Sequence, residues 1–170
     1  MLLNLKKRIR EEGLSLPLKY QFDLSMLELD ATYPFVHPIA VEGEVRTKDG
    51  FAQLDVKVDF DFRVPCDRCA TQIDRHYTYR FSHVLVEALS NEQDADDGRY
   101  VVLEDGQIDL DALLQEDILL ELPTKFLCSE DCKGLCPACG KNLNEGPCGC
   151  SMRQIDPRLA VLKQLIEGTE

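Results

Sequence analysis

The sequence predicts an α+β fold: a mainly antiparallel β-sheet that could curl in barrel fashion, a few helices, and a cysteine-rich segment near the C-terminus. Three observations lead there. Between Leu54 and Val64 apolar and charged residues alternate without a miss, the period of two of a half-buried strand. Further alternating runs are separated by glycine- and proline-containing turns. Six of the eight cysteines fall within residues 128–150, a stretch too poor in apolar residues to hold a shape through a core of its own.

At 170 residues and 44% apolar content the chain fits one domain able to bury a core. Its expected organisation is a β-rich scaffold over 1–125, the cysteine-rich segment over 126–152 and a closing helix over 153–170. Residues 2–12 begin apolar and become mixed in charge. Leu5 and Ile9, four apart, share one face of a short helix that Gly13 would end. Lys6, Lys7, Arg8 and Arg10 form the only basic cluster, and a solvated helix face accounts for them. Leu18, Tyr20, Phe22 and Leu24 alternate with polar residues as a strand. Pro34 and Pro38 punctuate a loop, 41–47 reads as a second strand, and Lys48-Asp49-Gly50 is a turn in which Gly50 takes positive φ.

The strand over 54–64 is answered by a second one over 73–85, with Ile73, Tyr77, Tyr79 and Phe81 on one face and His76, Thr78, Arg80 and Ser82 on the other. With residues 65–70 as a hairpin tip centred between Asp67 and Arg68, opposed residue numbers sum to 135. Phe62 then faces Ile73, Val58 faces Tyr77, Val56 faces Tyr79 and Leu54 faces Phe81; only Phe60 opposite Arg75 breaks the pattern. Cys66 and Cys69 stand at the apex, aimed at one site. Residues 87–98 hold Glu87, Glu92, Asp94, Asp96 and Asp97 against no positive charge, the composition of a surface loop. A short strand near 100–103 leads into a helix capped by Asp109, with Leu110, Leu113, Leu114 and Ile118 on one face, stopping before Pro123. Asp109, Asp111, Glu116 and Asp117 make its other face acidic. Asp156-Pro157 opens the last helix, with Leu159, Leu162 and Ile166 facing inward.

A net charge of -12 disfavours a protein that wraps nucleic acid by neutralising phosphates, and suits a basic protein partner better. No apolar run approaches the roughly 20 residues of a membrane span. The N-terminal apolar residues precede the basic ones, the reverse of a signal peptide. A cytoplasmic protein without membrane association is therefore expected. In that reducing compartment eight cysteines are better read as thiolate metal ligands than as four disulfides.

The cysteines fall into four pairs: Cys66/Cys69, Cys128/Cys132, Cys136/Cys139 and Cys148/Cys150. Zn²⁺ in structural sites takes four tetrahedral ligands, and Cys-x-x-Cys lets one tight turn supply two of them. Cys136-Pro137-Ala138-Cys139-Gly140 is a strong case, since proline presets the turn and glycine permits positive φ; Cys66-Asp67-Arg68-Cys69-Ala70 lacks that glycine. Four pairs combine into two sites in three ways. Chain closure favours Cys136, Cys139, Cys148 and Cys150 as one site, leaving Cys128 and Cys132 to join the hairpin tip in the other. Two structural Zn²⁺ are expected, and a four-thiolate site at formal -2 each would take the net charge to about -16.

Neither site leaves an open coordination position, which argues for structural rather than catalytic metal. His37, His76 and His83 read as surface or edge residues. There is no Gly-x-Ser-x-Gly elbow, phosphate-binding glycine loop or His-Glu-x-x-His helix, and a hairpin setting for Cys66 disfavours a thioredoxin-type redox pair. No catalytic residue is expected.

Several stretches together resemble one family: Cys66-Asp67-Arg68-Cys69 between two strands, the run from Lys133-Gly134-Leu135-Cys136-Pro137-Ala138-Cys139-Gly140 to Lys141-Asn142-Leu143-Asn144, Cys148-Gly149-Cys150, and Asp156-Pro157-Arg158-Leu159-Ala160-Val161-Leu162. The chain resembles the bacterial large ribosomal RNA subunit accumulation proteins, the YceD family, over essentially its whole length. The resemblance implies a cytoplasmic, non-enzymatic ribosome biogenesis factor needed for accumulation of the large-subunit (23S) ribosomal RNA, with a role for the eight cysteines. Joined to the acidic charge, it points to a basic ribosomal protein or a large-subunit precursor particle as partner, with ribosomal RNA reached indirectly. The alternative is a direct RNA-binding zinc module using Arg68, Lys133 and Lys141.

Overall fold

The structure, a computed structural model of the chain, describes residues 1–6, 8, 9, 11, 13–88 and 100–150. The closing helix expected from Asp156 and most of the acidic stretch over 87–98 lie outside the described residues. The chain divides into two compact units. One comprises Met1–Pro65 with Gln72–Phe126; the other comprises Cys66–Thr71 with the chain from Leu127 onward.

The first unit is built on a five-stranded sheet in the order β2-β3-β4-β5-β6: β2 (Ser15–Phe22), β3 (Ile39–Lys48), β4 (Phe51–Pro65), β5 (Gln72–Val86) and β6 (Tyr100–Val102). β2 to β5 are antiparallel meanders, whereas β6 lies parallel to β5. Among the described residues the sheet is open, with β2 and β6 at its two edges, and does not close into a barrel. Asp49 and Gly50, both at positive φ, make the two-residue turn between β3 and β4, the mirror-image turn whose twist suits a hairpin. β1 (Leu2–Asn4) pairs antiparallel with β7 (Gln107–Asp109) as a separate two-stranded sheet.

Three sequence expectations are corrected here. Residues 2–4 form a strand rather than the start of a helix; a single helical turn comes after it, in which the Leu5 carbonyl accepts from the Arg8 and Ile9 amides, and both Leu5 and Ile9 are buried. Among the described residues there is one α-helix, α1 (Leu110–Glu121), and a single 3-10 turn, Leu143–Glu145, in place of a few helices. The hairpin register differs by two: opposed numbers of β4 and β5 sum to 137, placing Val64 opposite Ile73, Phe60 opposite Tyr77 and Phe62 opposite Arg75. The cause is local. Hydrogen bonds of the cysteine turn occupy residues 66–71, so the ladder closes at Pro65 and Gln72. A slip of two preserves the parity of the strand, and the buried face stays buried.

Every second residue of β4 from Ala52 to Val64 is buried, as the alternation demands. Phe60 sits among Phe35, Phe62, Tyr77 and Tyr79 at ring-centroid distances of 5.6 to 6.3 Å, within range for offset and edge-on aromatic packing. Leu110, Leu114 and Ile118 of α1 belong to the same apolar cluster. Asp109 caps α1 by accepting from the Asp111 amide, and Leu122 ends it before Pro123. The opposite face of the β4–β5 hairpin is a ladder of polar pairs. Arg63 donates to Asp74 at 2.5 Å, Asp61 meets His76 at 2.8 Å and Thr78 donates to Asp59 at 2.5 Å. Exposed pairs of this kind are screened by water and salt and add little to stability.

His83 is not a surface residue. Seven positions from His76 it turns to the apolar face opposite Leu54, where it is buried and its Nε2 lies 2.8 Å from Asp117. Asp117 is thus directed inward rather than displayed on an acidic helix face, and Asp111 receives the Met1 ammonium group.

Candidate metal centres

All eight cysteines belong to the second unit, and none is in a disulfide. Two of the four pairs are held by turns of one design. In Cys66-Asp67-Arg68-Cys69-Ala70-Thr71 the Cys66 amide donates to the Thr71 carbonyl and the Ala70 amide to the Cys66 carbonyl, both at 2.8 Å. In Cys136-Pro137-Ala138-Cys139-Gly140-Lys141 the Cys136 amide donates to the Lys141 carbonyl and the Gly140 amide to the Cys136 carbonyl, again both at 2.8 Å. The residue after the second cysteine must go left-handed to close such a turn. Gly140 does so at φ 72°, and Ala70 is held at φ 59°, where its Cβ is disfavoured.

The first turn meets Cys128 and Cys132. The Sγ atoms of Cys66, Cys69, Cys128 and Cys132 all lie within 4.8 Å of one another, with Cys66 to Cys132 at 3.8 Å and Cys69 to Cys128 at 3.5 Å. A disulfide would need about 2.05 Å. A tetrahedron of sulfurs with bonds of about 2.3 Å has edges of about 3.8 Å, so these spacings fit a shared metal ion. The sulfurs also receive hydrogen bonds that favour thiolate: the Cys128 amide donates to Cys66 Sγ and the Asn144 side chain to Cys132 Sγ, each at 3.3 Å. Cys66, Cys69 and Cys132 are buried; Cys128 is exposed.

The second turn meets Cys148 and Cys150, and the four sulfurs again lie within 4.8 Å of one another. This set is more open: only Cys136 is buried, Cys139 is exposed, and Cys148 and Cys150 are intermediate. Lys141 reaches across its loop to donate to the Pro147 carbonyl at 3.1 Å. Each four-cysteine set could hold one metal ion.

Titration of the thiols reflects the same architecture. Burial pushes the Cys66 thiol up, but the backbone amides of Arg68, Cys128 and Cys69 outweigh it and bring it to about 6. Cys136 is brought to about 6, first by the amides of Ala138 and Cys139. The Asn144 amide is the main cause that lowers Cys132. Cys128 is pushed up to about 12 by its hydrogen bonds to Cys132 and Cys69, and Cys150 to about 12 by Cys139. In each set one thiol, Cys66 or Cys136, is drawn toward ionisation while a neighbour, Cys128 or Cys150, is held toward its protonated form. A cation removes that conflict, and binding would release the remaining protons.

The two sets are joined by the chain between Cys132 and Cys136. The Leu135 amide donates to the Arg68 carbonyl at 3.0 Å, tying the later segment to the first turn. Gly134 makes that approach possible. It sits at φ 73°, and a Cβ there would lie 3.0 Å from the Arg68 oxygen. The Arg68 guanidinium donates to the Cys132 carbonyl at 2.9 Å, so two of the cations considered for RNA contact, Arg68 and Lys141, are engaged within the unit.

Asn142 and Asn144 enter the sequence reading only within the family-like run, with no role of their own, and Thr71 does not enter it. Asn144 accepts from the Lys133 amide at 2.8 Å while donating to Cys132 Sγ, and the Asn142 side chain reaches Thr71 at 3.4 Å. The signal available was the run Asn142-Leu143-Asn144 just after a cysteine turn, two short amides suited to capping and to sulfur hydrogen bonds. His37 and His76 are exposed, and no histidine belongs to either set.

The chain is 29% identical to the protein YlbN of Bacillus subtilis (strain 168) over 143 residues, 84% of this chain and 82% of that protein. It is 27% identical over 147 residues to the chloroplastic large ribosomal RNA subunit accumulation protein YCED homolog 1 of Zea mays, 69% of this chain and 50% of that one. The Arabidopsis thaliana protein of the same description is 25% identical over 162 residues, 79% of this chain and 50% of the relative. The chain thus spans about half the length of these two plant relatives. No solved structure matches it. The family model described as large ribosomal RNA subunit accumulation protein YceD matches residues 54–166, from the long central strand through both cysteine sets, and the chain belongs to that family.

Proposed function

We propose that the chain is a non-enzymatic ribosome biogenesis factor that supports accumulation of the large-subunit (23S) ribosomal RNA. In this reading it acts in the bacterial cytoplasm and binds a basic ribosomal protein or a large-subunit precursor particle. Each cysteine set holds one structural Zn²⁺: Cys66, Cys69, Cys128 and Cys132 the first, Cys136, Cys139, Cys148 and Cys150 the second. Residues 1–125 serve as the β-rich scaffold, 126–152 as the zinc segment and 153–170 as a closing helix.

The observation that carries the reading is the pairing of family membership with two self-contained four-sulfur sets. Bound there, zinc would cross-link chain segments. The residues do the rest: Cys66 and Cys136 present thiolates, Asn144 orients and stabilises Cys132, and Gly134 brings the two segments together. Four thiolates complete a tetrahedron and leave no position for a substrate. The acidic balance of -12 favours a basic protein surface over bare phosphate.

Two measurements test this. Metal analysis of the purified chain is expected to find two zinc per chain, and iron or no metal would overturn the cofactor assignment. In sucrose gradients of cell extract the protein is expected to migrate with large-subunit precursors; confinement to the top of the gradient would overturn the function.

A further inference from the structure

The first unit carries a groove of about 650 Å³ where the turn joining β6 to β7 meets the first turns of α1. Its floor is apolar: Leu2, Val102, Ile108 and Leu113 line it, and Leu2 and Val102 are 65% and 44% exposed. Its rim is acidic, from Glu104, Asp105, Asp109 and Glu116, and among the described residues no lysine, arginine or histidine lines it.

These carboxylates are not equivalent. Asp109 accepts from the Met1 ammonium group at 3.1 Å and from the Asp111 amide at 3.1 Å. Asp111 and Asp117 are engaged elsewhere, with the Met1 ammonium group and His83. Glu104, Asp105 and Glu116 have no ion-pair partner among the described residues. A purely apolar occupant would bring those three carboxylates out of water unpaired, which is costly. Among the described residues a phosphate backbone would meet negative charge and no cation there.

We infer that this groove receives an amphipathic cationic segment of a partner protein, with apolar side chains on the floor and lysine or arginine against Glu104, Asp105 and Glu116. This rests on the proposed function and deepens it by naming the surface and the chemistry of the basic partner. The groove's volume lies within the range of ordinary binding clefts, and the open, partly exposed floor suits a segment of chain.

The test titrates the full chain with three synthetic twelve-residue peptides alternating leucine with lysine, serine with lysine, or leucine with glutamate. The leucine-lysine peptide is expected to bind, the serine-lysine peptide several-fold more weakly and the leucine-glutamate peptide not at all. Added salt weakens the first interaction. The double variant Glu104→Lys/Glu116→Lys lowers its affinity about tenfold or more, and Val102→Asp does so independently through the floor. Equal binding by the unaltered chain and both variants, or by both lysine peptides, would overturn the groove and mark a diffuse charge effect. RNA binding lost on Glu104→Lys/Glu116→Lys would equally overturn it. Gradient migration separates the two readings. If the unaltered chain and the double variant both migrate with precursors, the groove fails and the function stands; if neither does while the peptide data hold, the function fails and the groove stands.

Discussion

The two units are held by different physics. In the first, a continuous apolar cluster from Leu5 to Ile118 is buried, with Phe35, Phe60 and Phe62 nearly free of solvent. In the second, the buried side chains among the described residues are Cys66, Cys69, Cys132 and Cys136, and Leu135 is 41% exposed. One region is stabilised by area removed from water; the other has almost none to remove, and its organisation centres on sulfur. A domain can thus carry a stretch with no hydrophobic core when that stretch brings ligands at the right spacing.

With zinc bound as proposed, the sharpest way to break this comparison is to remove it. Structural zinc contributes on the order of 10–16 kcal/mol of apparent binding free energy per site. A strong chelator under reducing conditions is therefore expected to unfold residues 66–71 and 127–150 while leaving the sheet. Amide hydrogen exchange checks this, with protection lost in the second unit and kept in β3, β4 and β5. Next comes Phe60→Ala, expected to cost about 3–5 kcal/mol of first-unit stability and read as a lowered midpoint in denaturant, with zinc stoichiometry unchanged. Gly134→Ala combines a left-handed φ with a close approach to the Arg68 oxygen. It is expected to cost about 2 kcal/mol and to weaken zinc retention by the first cysteine set in a chelator competition.

A smaller effect concerns the order of filling. Closing the first set in an unfolded chain spans the 59 residues from Cys69 to Cys128, against nine from Cys139 to Cys148. The extra closure entropy is about 1.7 kcal/mol. Zinc added to the denatured, reduced chain is expected to occupy Cys136, Cys139, Cys148 and Cys150 first, as cobalt substitution with selective cysteine alkylation would reveal. The smallest effect has the opposite sign. Ala70→Gly removes the left-handed penalty at φ 59° and is expected to stabilise the first turn by about 1 kcal/mol, seen as slower zinc loss.

Much of this was legible in the sequence, for a physical reason. The period of two from Leu54 to Val64 marks a face that can only be buried one way, and Asp109 before Leu110 announces a capped helix. The four cysteine pairs and their grouping follow from spacing and chain closure. Spacing does not carry geometry set by hydrogen bonds at a distance in sequence. The hairpin register depends on the Cys66 amide finding the Thr71 carbonyl, and the strand role of residues 2–4 depends on residues 107–109 a hundred positions later. The parallel placement of β6 on β5 is non-local in the same sense. His83 and Asp117 deceive a local reading because each looks solvated until the other is present.

The first cysteine set also has an order in time. Its members are spread from residue 66 to residue 132, with β5, β6, β7 and α1 encoded between Cys69 and Cys128. The second set is encoded within fifteen residues. A chain interrupted after β5 displays Cys66 and Cys69 as a bare dithiol with no partners, and the first tetrad exists only once translation has passed Cys132. A filled tetrad would therefore report that synthesis has passed Cys132, which makes copies interrupted before that point chemically distinguishable from those carried beyond it.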